Sequence, residues 1–596
     1  MGADNPKLIS YPQEKIMGFR GLNTTASAPL IEDSRASSLL NVKLSSAFDL
    51  KKRAGADTIN NISLDDLDQN NPSIQGIFDS VYSNGNSWTY AFIGNKLKYD
   101  NAGTWTNVNS LSGTLTAGQN NQFQCIMALD NAICTNDVDV VLKISSTPTR
   151  SSLDVSDLSD TLTKVKTLVF YRNYLIFGNT VENSIERPTR FRWSLVGDIE
   201  NYDNDDFVDI ATFAGDELIG FAELYGDLYI FLTKSIWRAS LTGGDDVFTF
   251  LKVVDGIGAI ARDSISVIQF SSNRSAVVFF DDRRKVLLFD GAVVTDIGRI
   301  IQPTLDTLSP SRLQYAVSTF DGQSYYLSAT SSGGSTNDTL FEYQTEINEW
   351  TKHDQLDANS IAQVKEATSL IKTYFGNYGG FVYWMDNPDN YNDVEGFTGI
   401  IDSVGASNTA VMTGAQAIID AGITFQAYTG AIVKITSGAG SGQERIISTA
   451  FDTGFTVNTA FSTDPDSTSV YSIGAIEAQY TTKWYDIGNP NREKSFIGLL
   501  FWAEEASSNE VTISHAIDFG SSLGSTTKSL APSSSSLWDS ALWDTGTWGT
   551  TGDKLYTVKT AGFGNFVEYE FENDEIDESF HLYGFNILGI SGDIKQ

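Results

Sequence analysis

The sequence predicts an all-β protein with a β-propeller core. Three observations predict it. Aromatic residues make up 12% of the 596 residues and sit with β-branched ones in short runs, which suit a pleated, half-buried strand. Gly, Asn and Asp punctuate those runs at hairpin spacing. The resulting strand pairs recur about every 45–80 residues, the rhythm of a propeller whose four-stranded blades surround a central channel. WD-repeat and kelch signatures are missing, and a stack of β-sandwiches is the alternative architecture.

Along the chain, residues 1–60 read as an N-terminal extension with the first strands, and 31-IEDSRASSLLNV-42 carries a short helical pattern capped at Asp33 or Ser34. The propeller core spans 61–396. Its hairpins are SWTYAFIGNKLKYDNAGTWTNV (87–108), KTLVFYRNYLIFGNT (166–180), ELYGDLYIFLTKSIWRAS (223–240) and SAVVFFDDRRKVLLFDGAVV (275–294). STFDGQSYYLSAT (318–330) with LFEYQTEINEWTKH (340–353), and KTYFGNYGGFVYWMD (372–386), complete the series. A second short helical pattern lies at 360-SIAQVKEATSLI-371. Residues 397–476 are rich in Ala, Thr, Ser and Gly and poor in aromatics, and read as a small inserted β-domain. Residues 477–596 read as a C-terminal β-domain able to complete the propeller.

Forty basic against 74 acidic residues give a formal charge of −34. That balance argues against direct binding of a nucleic-acid backbone, which needs clustered Lys and Arg. The acidic patch FENDEIDES (571–579) reads as a solvated strand end or loop. Cys125 and Cys134 are the whole thiol inventory and flank a hairpin turning near Asp130-Asn131. A cross-strand disulfide is open to them, but so few cysteines in a long chain favour free thiols in a reducing cytoplasm. MGADNPKLISYPQEK at the N-terminus has no apolar signal-peptide core. No run of about 18 apolar residues exists to span a membrane.

ITSGAGSGQER (435–445) spaces Gly438, Gly440 and Gly442 like a phosphate cradle. A phosphate loop needs a following helix and a Lys-Ser/Thr pair. Here GAIVKI and ERIIST flank the glycines, so the segment reads as a hairpin tip between two strands. His353, His515 and His581 are the only histidines, none at metal-ligand spacing, and neither HExxH nor GxSxG is present. DNDDFVD (203–209) offers oxygen ligands but lacks the Gly and distal Glu of a calcium loop, and reads as a solvated turn. DNAGTW (100–105) and DTGTW (544–548) depart from the Asp-box of sialidase-like propellers. Paired carboxylates for glycoside hydrolysis are left open by 74 acidic residues. No catalytic, cofactor or metal residue is assigned. LWDSA-LWDTG-TWGTT (537–551) spaces Trp538, Trp543 and Trp548 by five. Such a row staples sheets by packing, or binds sugar rings or a partner.

Several stretches together resemble bacteriophage neck and tail proteins with a propeller core, nearest the tail nozzle or tail hub of short-tailed phages. They are GFRGLNTTASAPLIEDSRASSLLNVKLSSAFDLKKRAG (18–55), RPTRFRWSLVGDIENYD (187–203), ELYGDLYIFLTKSIWRASLTGGDDVFTF (223–250), DGIGAIARDSI (255–265) and FFDDRRKVLLFDGAVVTDIGRII (279–301). VKITSGAGSGQERIIS, PDSTSVYSIG (465–474), TTKWYDIGNPNREKSFIGLLFW and WDSALWDTGTW extend the likeness. The resemblance implies a virion protein assembled in the host cytoplasm. It implies a ring of about six copies below the portal and adaptor, continuing the DNA channel, closing it until infection and docking fibres or spikes. It implies no catalytic residues and no cofactor. Gly438–Gly442 and the loop SATSSGGSTND (328–338) are the candidate gate segments. The alternatives are a receptor- or glycan-binding tail protein using the Trp538–Trp548 row, and a propeller glycosidase.

Overall fold

The computed structural model describes residues 13–60, 63–65, 72–111, 113–210, 215–242, 247–270, 274–366, 370–404, 409–413, 428, 431–451, 454–506, 509–531 and 553–591. The protein is all-β. The α-helix of the described residues is the single turn Gln302–Leu305, and none of their helices is long and apolar enough to cross a membrane. Two compact units divide the chain: residues 1–54, 349–353 and 475–596, and residues 55–348 and 354–474.

The larger unit contains seven antiparallel meanders in chain order. The first sheet is Ile74–Val81, Ser87–Ile93, Lys96–Asn101 and Thr104–Asn107. The second is Gln124–Ala128, Asn131–Thr135, Leu142–Ile144 and Thr149–Ser152, with Asn109–Ser110 added in parallel. The third runs Leu162–Tyr171, Tyr174–Glu182, Ile185–Trp193 and Phe207–Asp209. The fourth runs Leu218–Leu224, Asp227–Leu232, Ser235–Leu241 and Phe248–Asp255. The fifth is Ser266–Gln269, Ser275–Phe280, Val286–Phe289 and Val294–Asp296. Val317–Phe320, Ser324–Ala329 and Thr339–Gln344 make up the sixth within this unit. The seventh begins with Ser360–Lys365, Ile371–Gly376 and Val382–Asn387. Tight turns set these registers. Leu129 and Asp130, Arg172 and Asn173, Asn183 and Ser184, and Tyr225 and Gly226 all carry positive φ, as both central residues of a type I′ hairpin turn do.

The first strands of these sheets meet in a cycle. Ile74–Val81 touches Gln124–Ala128, which touches Leu162–Tyr171, then Leu218–Leu224, Ser266–Gln269, Val317–Phe320 and Ser360–Lys365, which returns to Ile74–Val81. Apolar side chains fill the spaces between neighbouring sheets. Phe92 stacks on Phe123 with centroids 3.9 Å apart, Phe177 stacks on Tyr202, and Phe231 packs against Phe279 and Phe289.

The seventh sheet takes its fourth strand from far upstream. Gly55–Thr58 pairs antiparallel with Val382–Asn387 in the register Tyr383↔Thr58, Trp384↔Asp57, Asn387↔Gly55. The Asp57 carboxylate accepts hydrogen bonds from Asn387 and Asn390 and pins that register. The ladder then continues through Asn392–Val404 to Thr409–Thr413, Gly454–Val457, Glu444–Phe451, Ile432–Ser437 and Val470–Ala475. The Ala- and Thr-rich segment is therefore continuous with the seventh sheet.

The smaller unit interleaves both ends of the sequence. One sheet orders Asp553–Val558, Lys494–Glu504, His581–Ser591, Leu50–Lys52 and Val42–Leu44, with Gln13–Met17 also on His581–Ser591. The other orders Ser38–Leu40, Ala478–Thr481, Val567–Asn573, Glu510–Ile517 and Ser522–Ser529. Phe19 is fully buried and sits edge-on to Tyr480 and Phe571, at 5.1 and 6.1 Å between centroids.

Three sequence expectations need correction. Residues 31–42 are not helical: they hold the strands Arg35–Ala36 and Ser38–Leu40, the latter paired with Ala478–Thr481. Residues 360–371 contribute Ser360–Lys365, paired with Ile371–Gly376, instead of a helix. In both places sheet partners override a weak local helical pattern. The cysteines are not free. Cys125 lies opposite Cys134 with Cα atoms 4.2 Å apart, the spacing of a non-hydrogen-bonded pair, and the two form a disulfide. The turn between them is Leu129-Asp130, one residue earlier than expected.

Candidate functional site

The segments leading into the first strands converge in the larger unit, and polar side chains tie them together. Arg262 belongs to the short turn Arg262–Ser264. Its guanidinium donates to the Lys166 carbonyl at 2.9 Å and the Gln122 carbonyl at 2.8 Å. It also donates to both oxygens of Asp263, at 2.9 and 2.8 Å. Gln122 donates through Nε2 to the carbonyls of Tyr315 and Asn359, each at 3.0 Å. Asn359 donates through Nδ2 to Ser73 Oγ, Ile74 O and Gln119 O at 2.9, 2.9 and 3.1 Å. Planar multi-donor groups suit this task, since each reaches several carbonyls at fixed angles.

Two cavities share this layer. The larger, of 290 Å³, is lined by Asn120, Asn121, Gln122, Asn136, Asp137, Lys166, Arg262, Asp263, Gln314 and Tyr315, among others. The smaller, of 190 Å³, includes Gln75, Gln122, Gln124, Arg262, Asp263, Ser318, Asn359 and Ser360 in its lining. Asp137 stands at the rim with positive φ, just after Asn136, whose side chain caps the amides of Val138 and Asp139. Burial raises the Asp137 carboxyl, against the pull of Lys166, Arg262 and Lys164. Gln75 Oε1 and Ser360 Oγ lack a hydrogen-bond partner among the described residues, although both side chains are buried.

Sequence reasoning missed this site. Its residues come in ones, twos and threes from in and around six of the seven sheets, and no spacing rule gathers them. The sites the sequence singled out lie elsewhere. Gly438, Gly440 and Gly442 all have positive φ and sit between Ile432–Ser437 and Glu444–Phe451, with no helix following. Their loop is stapled to the 461–469 segment. Gln443 Oε1 accepts from the amides of Ser462 and Thr463, and its Nε2 donates to Thr463 O at 2.7 Å. A β-carbon at Gly438 would lie 2.1 Å from the Thr468 carbonyl oxygen. The 328–338 loop is likewise tied down, with Asp338 accepting from the amide and hydroxyl of Ser331. Trp538, Trp543 and Trp548 lie outside the described residues.

His353 is buried beside Thr351, His515 faces the Ala561 carbonyl, and His581 lies between Glu504 and Asp49. DNDDFVD is a turn only in part: Phe207–Asp209 is a strand paired with Ile185–Trp193, and Asp209 is held by both Nε and Nη2 of Arg190 at 2.8 Å, which keeps its carboxyl below the usual range. Among the described residues no group of three or more His, Cys, Asp or Glu side chains is placed to hold a metal ion.

No protein-family model and no curated protein matches the chain. Among solved structures, the chain is similar to the computationally designed Ika8 protein at 11% identity and a TM-score of 0.32, over 52% of this chain and 96% of that one. It is similar to PorZ, a bacterial surface component of the type-IX secretion system of Porphyromonas gingivalis, at 10% identity and TM-score 0.35, over 66% of this chain and 45% of PorZ. It is also similar to the extracellular domain of a one-component system from B. thetaiotaomicron, at 9% identity and TM-score 0.38, over 76% of this chain and 59% of that domain. The chain thus spans less than two thirds of either natural structure.

Proposed function

We propose that the larger unit is a seven-bladed β-propeller, and that the protein is a structural virion component. It forms a ring of about six copies at the distal end of a short phage tail. The ring continues and closes the DNA channel below the portal and adaptor, and docks fibres or spikes. The observation that carries the scaffold reading is the cycle of first strands, completed by Gly55–Thr58 on the last sheet. A strand taken from the start of the unit into its final sheet ties the two ends of the series of sheets together.

The axis of that ring is crossed by Arg262, Gln122 and Asn359. The DNA path therefore belongs to the space enclosed by several copies. Six chains of formal charge −34 would carry roughly 200 negative charges in all, and a conduit wall that shares this acidity would repel DNA during ejection. The virion role itself rests on the resemblance of residues 18–55, 187–203, 223–250, 255–265, 279–301 and the later stretches to phage neck and tail proteins.

Copy number tests it. Quantifying the chain by mass spectrometry against the major capsid protein of its source particles should give about six to twelve copies, as cyclic neck and tail rings require. Hundreds of copies, or none, would refute the assignment.

A further inference from the structure

We propose that Lys52 and Asn573 of the smaller unit become joined by an isopeptide bond, formed within the chain with release of ammonia and promoted by the Glu578 carboxyl. This inference stands independently of the virion reading.

Three side chains meet at one point. Lys52 ends the strand Leu50–Lys52, and Asn573 ends Val567–Asn573. The two residues are only 3% and 4% exposed, although the acidic stretch 571–579 reads as solvated. Lys52 Nζ donates to Asn573 Oδ1 at 2.7 Å, a contact across 521 positions of the sequence. It also donates to the Glu575 carbonyl at 3.0 Å, so the amine is held from two sides. Asn573 Nδ2 donates to the Glu510 carbonyl at 2.9 Å and to Glu578 Oε2 at 3.2 Å. These partners fix which way the amide points, because a carbonyl only accepts and must face Nδ2. The Glu510 amide donates to the same Glu578 oxygen at 2.9 Å and holds the carboxyl against Asn573.

Each group has a role in acyl transfer. A buried site disfavours the charged form of an amine, and the neutral Lys52 amine is the nucleophile. Its target, Asn573 Cγ, is the carbon bonded to the oxygen it already touches. Attack forms the Nζ–Cγ bond and moves the carbonyl π pair onto Oδ1. Return of that pair restores the carbonyl and breaks the Cγ–Nδ2 bond. Glu578 gives a proton to the departing nitrogen and receives one from Nζ, so it ends as it began. An amine and a primary amide thus become a secondary amide and ammonia, and no oxidant or reductant is consumed. Burial raises the Glu578 carboxyl above its ordinary range, which favours the protonated form that the leaving nitrogen needs. Holding amine and amide together in the folded chain supplies the proximity that the uncatalysed reaction lacks.

Mass spectrometry on the full chain tests the proposal. The intact mass should fall short of the sequence mass by one ammonia, and peptide mapping should recover a branched peptide that joins the Lys52 and Asn573 segments. Lys52→Arg, Asn573→Ala and Glu578→Gln should each restore the missing mass and abolish the branch. Glu578→Gln keeps the size of the side chain and an acceptor oxygen, so it reads the chemistry in a chain whose fold circular dichroism can check. A folded parent chain of full mass without the branched peptide would overturn the proposal. A branch that forms undiminished in Glu578→Gln would overturn it as well.

Discussion

Glu182 shows how much one side chain can hold in this fold. It is 1% exposed and accepts from Arg190, Arg192 and Thr180, while Phe207 lies 3.7 Å under the Arg190 guanidinium. Burial alone would raise its carboxyl, but Arg192, Thr180 and Arg190 together hold it below the usual range. Removing one partner of such a network strands the others without compensation. Glu182→Ala should therefore cost about 3–5 kcal/mol in urea unfolding; a loss under about 1 kcal/mol would contradict the reading. Asp357 is the opposite case. Burial, then Asp338 and Asp354, push its carboxyl up to about 7, against roughly 3.9 in an unfolded chain. Between those values the folded state binds more protons than the unfolded one, so stability falls as pH rises from about 4 to about 7. Asp357→Asn should remove that decline and melt higher than the parent at pH 8 but not at pH 4. Equal melting temperatures at pH 8 would sink the assignment. The cysteines give a third check. Alkylation of the unfolded, unreduced chain should leave Cys125 and Cys134 unmodified, whereas two adducts would mean free thiols. Their pairing was legible in principle, since they lie nine positions apart across a hairpin. Composition argued for free thiols, and register decided otherwise.

At the level of elements, turns were the readable part. Arg172-Asn173 and Tyr225-Gly226 advertise positive φ locally, so the hairpins they close follow from a few adjacent residues. Pairings between distant segments left no such trace. Gly55–Thr58 meets Val382–Asn387 across more than 300 residues, and Ser38–Leu40 meets Ala478–Thr481 across more than 400. Neither partner carries a mark of the other, which is why residues 31–42 read as a helix. The axial cavity was invisible for the same reason, as Gln122, Arg262 and Asn359 are unremarkable one at a time. The closing strand can be tested directly. A β-carbon at Gly55 would lie 1.8 Å from the Asn392 carbonyl oxygen, so backbone must move to admit it. Gly55→Ala should cost about 1–3 kcal/mol, and amide exchange should accelerate selectively at Asp57, Thr58 and Val382–Asn387. Unchanged exchange there would show that the strand does not close the sheet.

For the whole molecule, two facts bear on function together: the cycle of contacting sheets in the larger unit, tied across by Arg262, Gln122 and Asn359, and a formal charge of −34. The first suits a part that must not deform, because each sheet is wedged between two neighbours and none ends the series. The second suits a surface that DNA passes without adhering, with a prediction attached. Retention of short duplex DNA by the purified protein should be undetectable at 150 mM salt; micromolar binding would exclude a non-adhesive conduit. Imaging tests the central claim most directly. Electron cryomicroscopy of particles from the source of this chain should resolve a sixfold ring at the distal end of the tail, each subunit containing a cycle of seven sheets crossed at its centre by Arg262, Gln122 and Asn359. A ring of these subunits in that place would establish the nozzle. Particles whose tail end is built from another protein, or in which this disc is absent, would contradict it.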